Sequence, residues 1–228
     1  MSRSLEVKSH LIEEQERANE RLILSFMPEG MANRYKHGDD TITQDSDDVT
    51  VIFADIVGFE ELALSMTSEE AIARLNDLVR SFDEAAERHG VERVRTTRQS
   101  YLASCGLATP RVDNARRAVE FALELDTILE RYSMQQGVEL GLRVGLDSGK
   151  VTSGLIGRAR VVYDMWGDAV NLAFRVQGDS TEPGIYITQR VADRLPESVS
   201  VHPVGEVETQ NGTQRVWKVE APVPVVEG

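Results

Sequence analysis

Asp55 is the first residue whose position suggests chemistry. It stands where the apolar run Val49 to Phe59, VTVIFADIVGF, breaks, just before the tight turn Val57-Gly58-Phe59. A carboxylate at a strand end, beside a glycine that lets backbone approach a ligand and beside a helix start that favours anions, suits a hard cation with a phosphate. An Asp capping the following helix is the other reading of the same residue. Two arginine clusters, Arg93-Val-Arg95-Thr-Thr-Arg98 and Arg158-Ala-Arg160, suit a small anionic ligand or, equally, a solvated rim. Farther on, Asn171 and Arg175 are four residues apart within a helical pattern and so share one side of it.

These side chains need a scaffold. The β-branched run around Val49 to Phe59 suits a strand buried on both faces. Before it, Ser4 to Met27 has high helix propensity and stops at Pro28, with a narrow apolar stripe of Leu11, Ala18, Leu22 and Phe26. That stripe fits a two-stranded helical contact with a second copy, or a helix lying on its own domain. A chain opening this way reads as a piece of a longer polypeptide. A short helix over Glu29 to Tyr35 then leads to a polar loop from His37 to Asp48.

After the strand, Ser68 to Arg88 reads as a helix, with cap chemistry at Ser68 and Glu70 and an end at His89-Gly90. Val91 to Thr96 and Ser100 to Gly106 form a hairpin around Thr97, Arg98 and Gln99, and a long helix covers about Asp113 to Tyr132. Val138 to Leu146 and Lys150 to Leu155 read as a second hairpin about Asp147-Ser148-Gly149. The Asn171 helix follows, then Ile185 to Ile187, a short helix near Gln189 to Leu195, and Val199 to Val207 paired with Gln214 to Val219 across Asn211-Gly212. Residues 221–228 read as a mobile tail. The order predicts an α+β sandwich, helices on a mostly antiparallel sheet, preceded by an N-terminal helix. Three segments result: a helical dimerisation element and linker over 1–47, the main domain over 48–220, and the tail.

Composition narrows the function. A net charge of −13 argues against a nucleic-acid footprint, which needs a basic face, and no aromatic stacking surface offsets it. Met1 to His10 has no apolar leader segment, and no window is long and apolar enough to span a bilayer. A cytoplasmic domain is expected, with membrane attachment only through a segment upstream. The single cysteine, Cys105, sits in an apolar strand and reads as a buried thiol.

Several stretches together resemble class III nucleotidyl cyclases, whose catalytic domain has a ferredoxin-like α+β sandwich. Val49 to Phe59 is similar to the first metal strand, Leu142 to Gly157 to the second hairpin, and Tyr163 to Arg175, YDMWGDAVNLAFR, to the adenine and transition-state segment. Leu22 to Val49 resembles the helical element that precedes the domain in membrane-bound and sensor-linked bacterial members. The resemblance implies cyclic-nucleotide signalling: ATP or GTP is closed to the cyclic nucleotide with loss of pyrophosphate, using Mg²⁺ or Mn²⁺. By the same resemblance Asp55 is a metal carboxylate with the carbonyl of Ile56 beside it. Asn171 orients the ribose, Arg175 stabilises the transition state, and Asp164 accepts from the adenine amino group, a cap for the Asn171 helix being its alternative. The site forms between two domains, so a homodimer is implied, with Asp55 of one protomer facing Asn171 and Arg175 of the other. A heterodimer with another cyclase domain would also complete it.

One hairpin departs from the family. Where members read roughly Lys-Thr-Ile-Gly-Asp-x-Tyr-Met, this chain has Arg95, Thr96, Thr97, Arg98, Gln99 and Ser100 before Tyr101. The purine-reading lysine becomes Arg95, a glycine becomes Arg98, and the second metal carboxylate becomes Gln99. A neutral amide offers one carbonyl oxygen and no charge, so binding of the second ion should weaken. The family's lysine-containing turn near the triphosphate corresponds to Thr209 to Gln214, which has no basic residue. The expected outcome is a cyclase fold with weak or silent catalysis; the alternatives are an active homodimeric adenylyl or guanylyl cyclase with unusual metal or substrate preference, and a non-catalytic dimerising signalling module.

Overall fold

Strand β1 (Thr43–Val57) sets the geometry of the rest. In its second half the even positions Ile52, Ala54 and Ile56 are buried, while Phe53, Asp55 and Val57 are only half-buried. Side chains alternate across a strand, so one face of β1 is fully covered and the other partly open. This corrects the expectation of burial on both faces: the apolar residue Phe53 joins Asp55 on the open side. The structure, a computed structural model, describes residues 2–39, 41–157, 160–209 and 212–220, with side chains from residue 7 onward. Arg158 of the second arginine cluster, Asn211 of the expected turn and the tail at 221–228 lie outside the described residues.

The chain divides into two compact units, Met1–Gln44 with Ser153–Asp164, and Asp45–Thr152 with Met165–Gly228. In the first, α1 (Ser2–Leu24) and α2 (Glu29–Lys36) are tied by Lys36 Nζ on Glu20 Oε1 at 2.8 Å. Val7, Leu11, Ile12, Leu22 and Phe26 remain exposed along this segment. Arg34 holds the following turn by donating to Asp39 Oδ2 at 2.9 Å and to the Thr43 carbonyl at 3.0 Å.

The second unit carries α3 (Phe59–Leu64), α4 (Ser68–His89), β2 (Glu92–Thr97), β3 (Ser100–Cys105) and α5 (Asn114–Gln136). It also carries α6 (Asp168–Asp179), β6 (Gly184–Thr188), α7 (Gln189–Ala192), β7 (Val201–Thr209) and β8 (Gly212–Val219). β1 and two further strands, β4 (Gly141–Ile156) and β5 (Val162–Trp166), run through both units. Among the described residues eight strands form one sheet in the order β2-β3-β1-β4-β6-β8-β7, with β5 on β4. β1/β3, β2/β3, β6/β8 and β7/β8 are antiparallel and β4/β6 is parallel, which is the predicted α+β sandwich. One face of the sheet is sealed by α4 and α5, whose Leu78, Phe82, Ala118, Phe121 and Leu125 share a core with Ile52, Ala54 and Ile56. On another patch Leu172 and Val176 of α6 meet Tyr186, Val207 and Val216. No helix among the described residues is long and apolar enough to cross a membrane.

Several expectations need correction. β4 runs unbroken from Gly141 to Ile156, so Asp147-Ser148-Gly149 is mid-strand and no hairpin turns there. The triplet has turn composition, but its polar side chains find partners in the core. Asp147 accepts from Thr188 Oγ1 at 2.6 Å, and Ser148 Oγ lies 2.6 Å from Thr50 Oγ1. β1 starts at Thr43, shortening the polar loop, because its acidic end is matched across the strands by Thr152 on Asp45 (2.6 Å) and by Lys150 near Asp45 and Asp47. The cap of α4 is Thr67 and not Ser68: Thr67 Oγ1 accepts from Glu70 N at 3.2 Å while Glu70 Oε2 accepts from Thr67 N at 2.8 Å. Val162–Trp166, read only as a motif, is a strand.

Cys105 is fully buried in β3, and burial pushes its thiol up to about 11. The thiolate is the reactive form, so roughly a hundredth of the ordinary thiolate remains at pH 8. Alkylation by iodoacetamide at that pH is therefore expected to run at least about 100-fold slower than for a free cysteine. Mass spectrometry over a time course checks it, and labelling at the free rate would place Cys105 outside the core.

Candidate functional site

Asp55 is delivered by β1 opposite Ser100 of β3. Ser100 Oγ donates to Asp55 Oδ1 at 3.0 Å and Arg143 Nη2 donates to Oδ2 at 3.3 Å, leaving the carboxylate 15% exposed. Arg143 comes from β4 and also donates through Nη1 to the Ser180 carbonyl at 3.1 Å, so its guanidinium is held from two sides. The capping alternative for Asp55 is not what the structure builds: the N-cap of α3 is Gly58, and the Asp55 carboxylate is held by Ser100 and Arg143. Gly58 has φ 87°, and an added Cβ would come 2.8 Å from the Glu139 carbonyl oxygen, so only glycine fits this turn. The Ile56 side chain is buried in the core, and its amide donates to the Gln99 carbonyl at 3.1 Å.

That last bond fixes the tip of the β2–β3 hairpin beside Asp55. Gln99 Nε2 donates to Glu60 Oε1 at 3.2 Å, and the exposed Arg98 Nη1 lies 3.8 Å from the same oxygen. Arg98 has φ 51°, a left-handed backbone in a residue with a Cβ, at the place where the family pattern has glycine. Arg95 is exposed on β2 opposite Leu102, just past a register shift that begins at Arg93. Arg93 itself pairs with Asp83 at 3.0 Å, an oxygen that also accepts from Tyr101 at 2.7 Å. A neutral amide, hydrogen-bonded to the Glu60 carboxylate, therefore stands at the hairpin tip where the resemblance implies a second carboxylate.

Asn171 and Arg175 share one side of α6, as the spacing predicts, and both are exposed. With Asp168, Leu172, Thr209 and Gln214 they line one pocket, to which Arg190 of α7 also contributes. Arg175 Nη1 donates to the Glu208 carbonyl at 2.5 Å, which aligns it along the β7 edge. The helix sits close to the sheet because β4 has Gly145 beneath it; a Cβ there would lie 2.1 Å from the Ala173 carbonyl oxygen. The structure thus gathers Asn171 with Arg175, and the pocket they line does not include Asp55. Asp164 is half-buried on β5, and Gly167 stands at the N-cap position of α6.

Two cationic residues were missed by reading the sequence. Arg143 is a charge inside the apolar strand run Leu142 to Val144, a signal that it needs a buried or half-buried anion. Arg190 is matched with Asp147, which is wholly buried: Nε donates to Oδ1 at 3.1 Å and Nη2 to Oδ2. Burial pushes the Asp147 carboxyl above the usual carboxylate range, with Arg190 and Thr188 pulling the other way. An Asp inside a buried strand was the available clue to a cationic partner.

Over residues 42–221 the chain matches the family described as adenylate and guanylate cyclase catalytic domain. An adenylate cyclase of Mycobacterium tuberculosis is 33% identical over 201 residues, which cover 87% of this chain and 45% of that protein. The chain thus spans less than half the length of that relative. Among solved structures, the guanylate cyclase domain of RhGC from Catenaria anguillulae in complex with GTP has a TM-score of 0.73 at 29% identity, covering 79% of this chain and 100% of that one. The catalytic core of a rhodopsin-guanylyl cyclase with converted specificity, in complex with ATPαS, has a TM-score of 0.73 at 30% identity, covering 79% and 98%.

Proposed function

Because the chain belongs to the adenylate and guanylate cyclase catalytic domain family, we propose that it binds a purine nucleoside triphosphate at a site shared between two copies and closes it only slowly. The reaction joins the ribose 3′-oxygen to the α-phosphorus and breaks the bond to pyrophosphate. Mg²⁺ or Mn²⁺ bound there would lower the pKa of the 3′-hydroxyl and neutralise phosphate charge. Asp55 and the Ile56 carbonyl would hold one such ion. Asn171 orients the ribose, Arg175 meets charge developing on the α-phosphoryl group, and Asp164 and Arg95 read the purine.

The observation that carries the slow rate is the Gln99 side chain, whose amide is spent on Glu60 where a carboxylate would serve a second ion. The shared site is supported by the separate location of Asp55 from the pocket of Asn171 and Arg175, and by the half-open face of β1. Phe174 adds apolar surface, since it is 54% exposed although its ring meets Phe53 edge-on at 5.0 Å. The GTP and ATPαS complexes of the similar domains support a nucleotide ligand.

The purified chain incubated with ATP or GTP and either Mg²⁺ or Mn²⁺ is expected to form cyclic product well below about 1 s⁻¹, the low end of ordinary enzymes. Turnover at or above that rate would overturn the slow reading.

A further inference from the structure

The Asn171 and Arg175 pocket has a second guanidinium that the family resemblance does not supply. The β7–β8 connection from Thr209 to Gln214 contributes Thr209 and Gln214 to the lining and carries no basic residue. Arg190 reaches the same pocket from α7. Its Nε and Nη2 edge is occupied by Asp147, a fork-to-fork pair with a carboxylate that has no exposure at all, whereas the Arg190 side chain is 39% exposed. Among the described residues no hydrogen bond engages Nη1, the nitrogen on the opposite edge.

Such a pair is a preorganised anion donor. The carboxylate fixes the plane and direction of the guanidinium, so little side-chain entropy is lost when a phosphate oxygen arrives. Charge-assisted hydrogen bonds from a held guanidinium are among the stronger polar contacts. Arg190 contributes to the pocket lining, while the compensating negative charge of Asp147 is fully buried.

We propose that Arg190, held by Asp147, binds the terminal phosphates of the nucleotide in the pocket of Asn171 and Arg175, in place of a cation on the β7–β8 turn. This rests on the nucleotide-cyclase reading given above. It separates two cationic tasks: Arg175 acts at the α-phosphoryl group, and Arg190 grips the pyrophosphate end. The specific consequence is discrimination by phosphate number.

Calorimetric titration of the full chain with ATP and with AMP, each with Mn²⁺, tests this. Arg190→Ala is expected to weaken ATP binding about 10- to 100-fold and AMP binding by less than about twofold. Leaving Asp147 unpaired in the core can unfold the chain, so the double variant Asp147→Asn with Arg190→Gln, which removes both charges and keeps hydrogen-bonding groups, carries the same expectation. Adding Gln214→Lys to either variant should restore at least a third of the lost ATP affinity on a logarithmic scale. Unchanged ATP affinity, or an equal loss for ATP and AMP, would overturn the proposal. A wild-type chain that binds no ATP would instead remove the cyclase-site reading, and this inference with it.

Discussion

The triple variant Gln99→Asp, Arg98→Gly, Arg95→Lys is expected to bind ATP at least about tenfold more tightly than the wild-type chain when Mg²⁺ is present, equivalent to about 1.4 kcal/mol. Three physical changes combine. Gln99→Asp replaces an amide that donates to Glu60 with an anionic oxygen pair able to hold a cation. Arg98→Gly removes an exposed cation lying 3.8 Å from Glu60 and relieves a left-handed backbone at φ 51°, worth about 1 kcal/mol. Arg95→Lys exchanges a rigid fork for a flexible ammonium at the position proposed to read the purine. Without a divalent ion the new carboxylate stands beside Glu60 and repels it, so the gain should vanish, or reverse, in a chelator. Calorimetry with Mg²⁺ and with EDTA measures both limbs. No metal-dependent gain would mean that the site is closed by something other than this hairpin.

Gly145→Ala is the second large effect, and its direction is opposite. The added Cβ would lie 2.1 Å from the Ala173 carbonyl oxygen and 2.6 Å from the Gln177 amide nitrogen, both backbone atoms of α6 that cannot swing away. The helix must move off β4 as a body, and overpacking of this kind costs about 3 kcal/mol or more. For a domain of this size that lowers the melting midpoint by about 6–12 °C. Because α6 carries Asn171 and Arg175, ATP binding should be lost together with the stability. A melting midpoint within about 2 °C of wild type would show that α6 is not seated on Gly145.

Much of the scaffold could be read from the chain because its signals are local. The β-branched apolar run from Val49 to Phe59, the 3.6-residue spacing in α4, α5 and α6, and the hairpin about Arg98 and Gln99 each depend on neighbours in sequence. The same holds for Asp55, Asn171 and Arg175, which sit in short recognisable segments. What could not be read depends on partners far away. Asp147-Ser148-Gly149 has the composition of a turn, and only Thr188, Arg190 and Thr50, each more than 40 residues distant, make it mid-strand. Likewise Arg143 has no meaning until β4 lies beside β1 and puts it on Asp55, 88 residues away. Thr67 was passed over for a narrower reason: Ser68 and Thr67 are both good caps, and geometry chose the residue whose hydroxyl meets the Glu70 amide.

Arg143 also bears on what the strand end would ask of a cation. A lone half-buried carboxylate would repel nearby anions, whereas here a guanidinium already neutralises it. A divalent ion held by Asp55, as proposed above, would compete with this 3.3 Å bond, while the Ser180 carbonyl would keep the guanidinium close. With Arg143 kept nearby, such an ion would add its charge to that of the guanidinium, so this strand end would hold it less tightly than a carboxylate with no cationic partner.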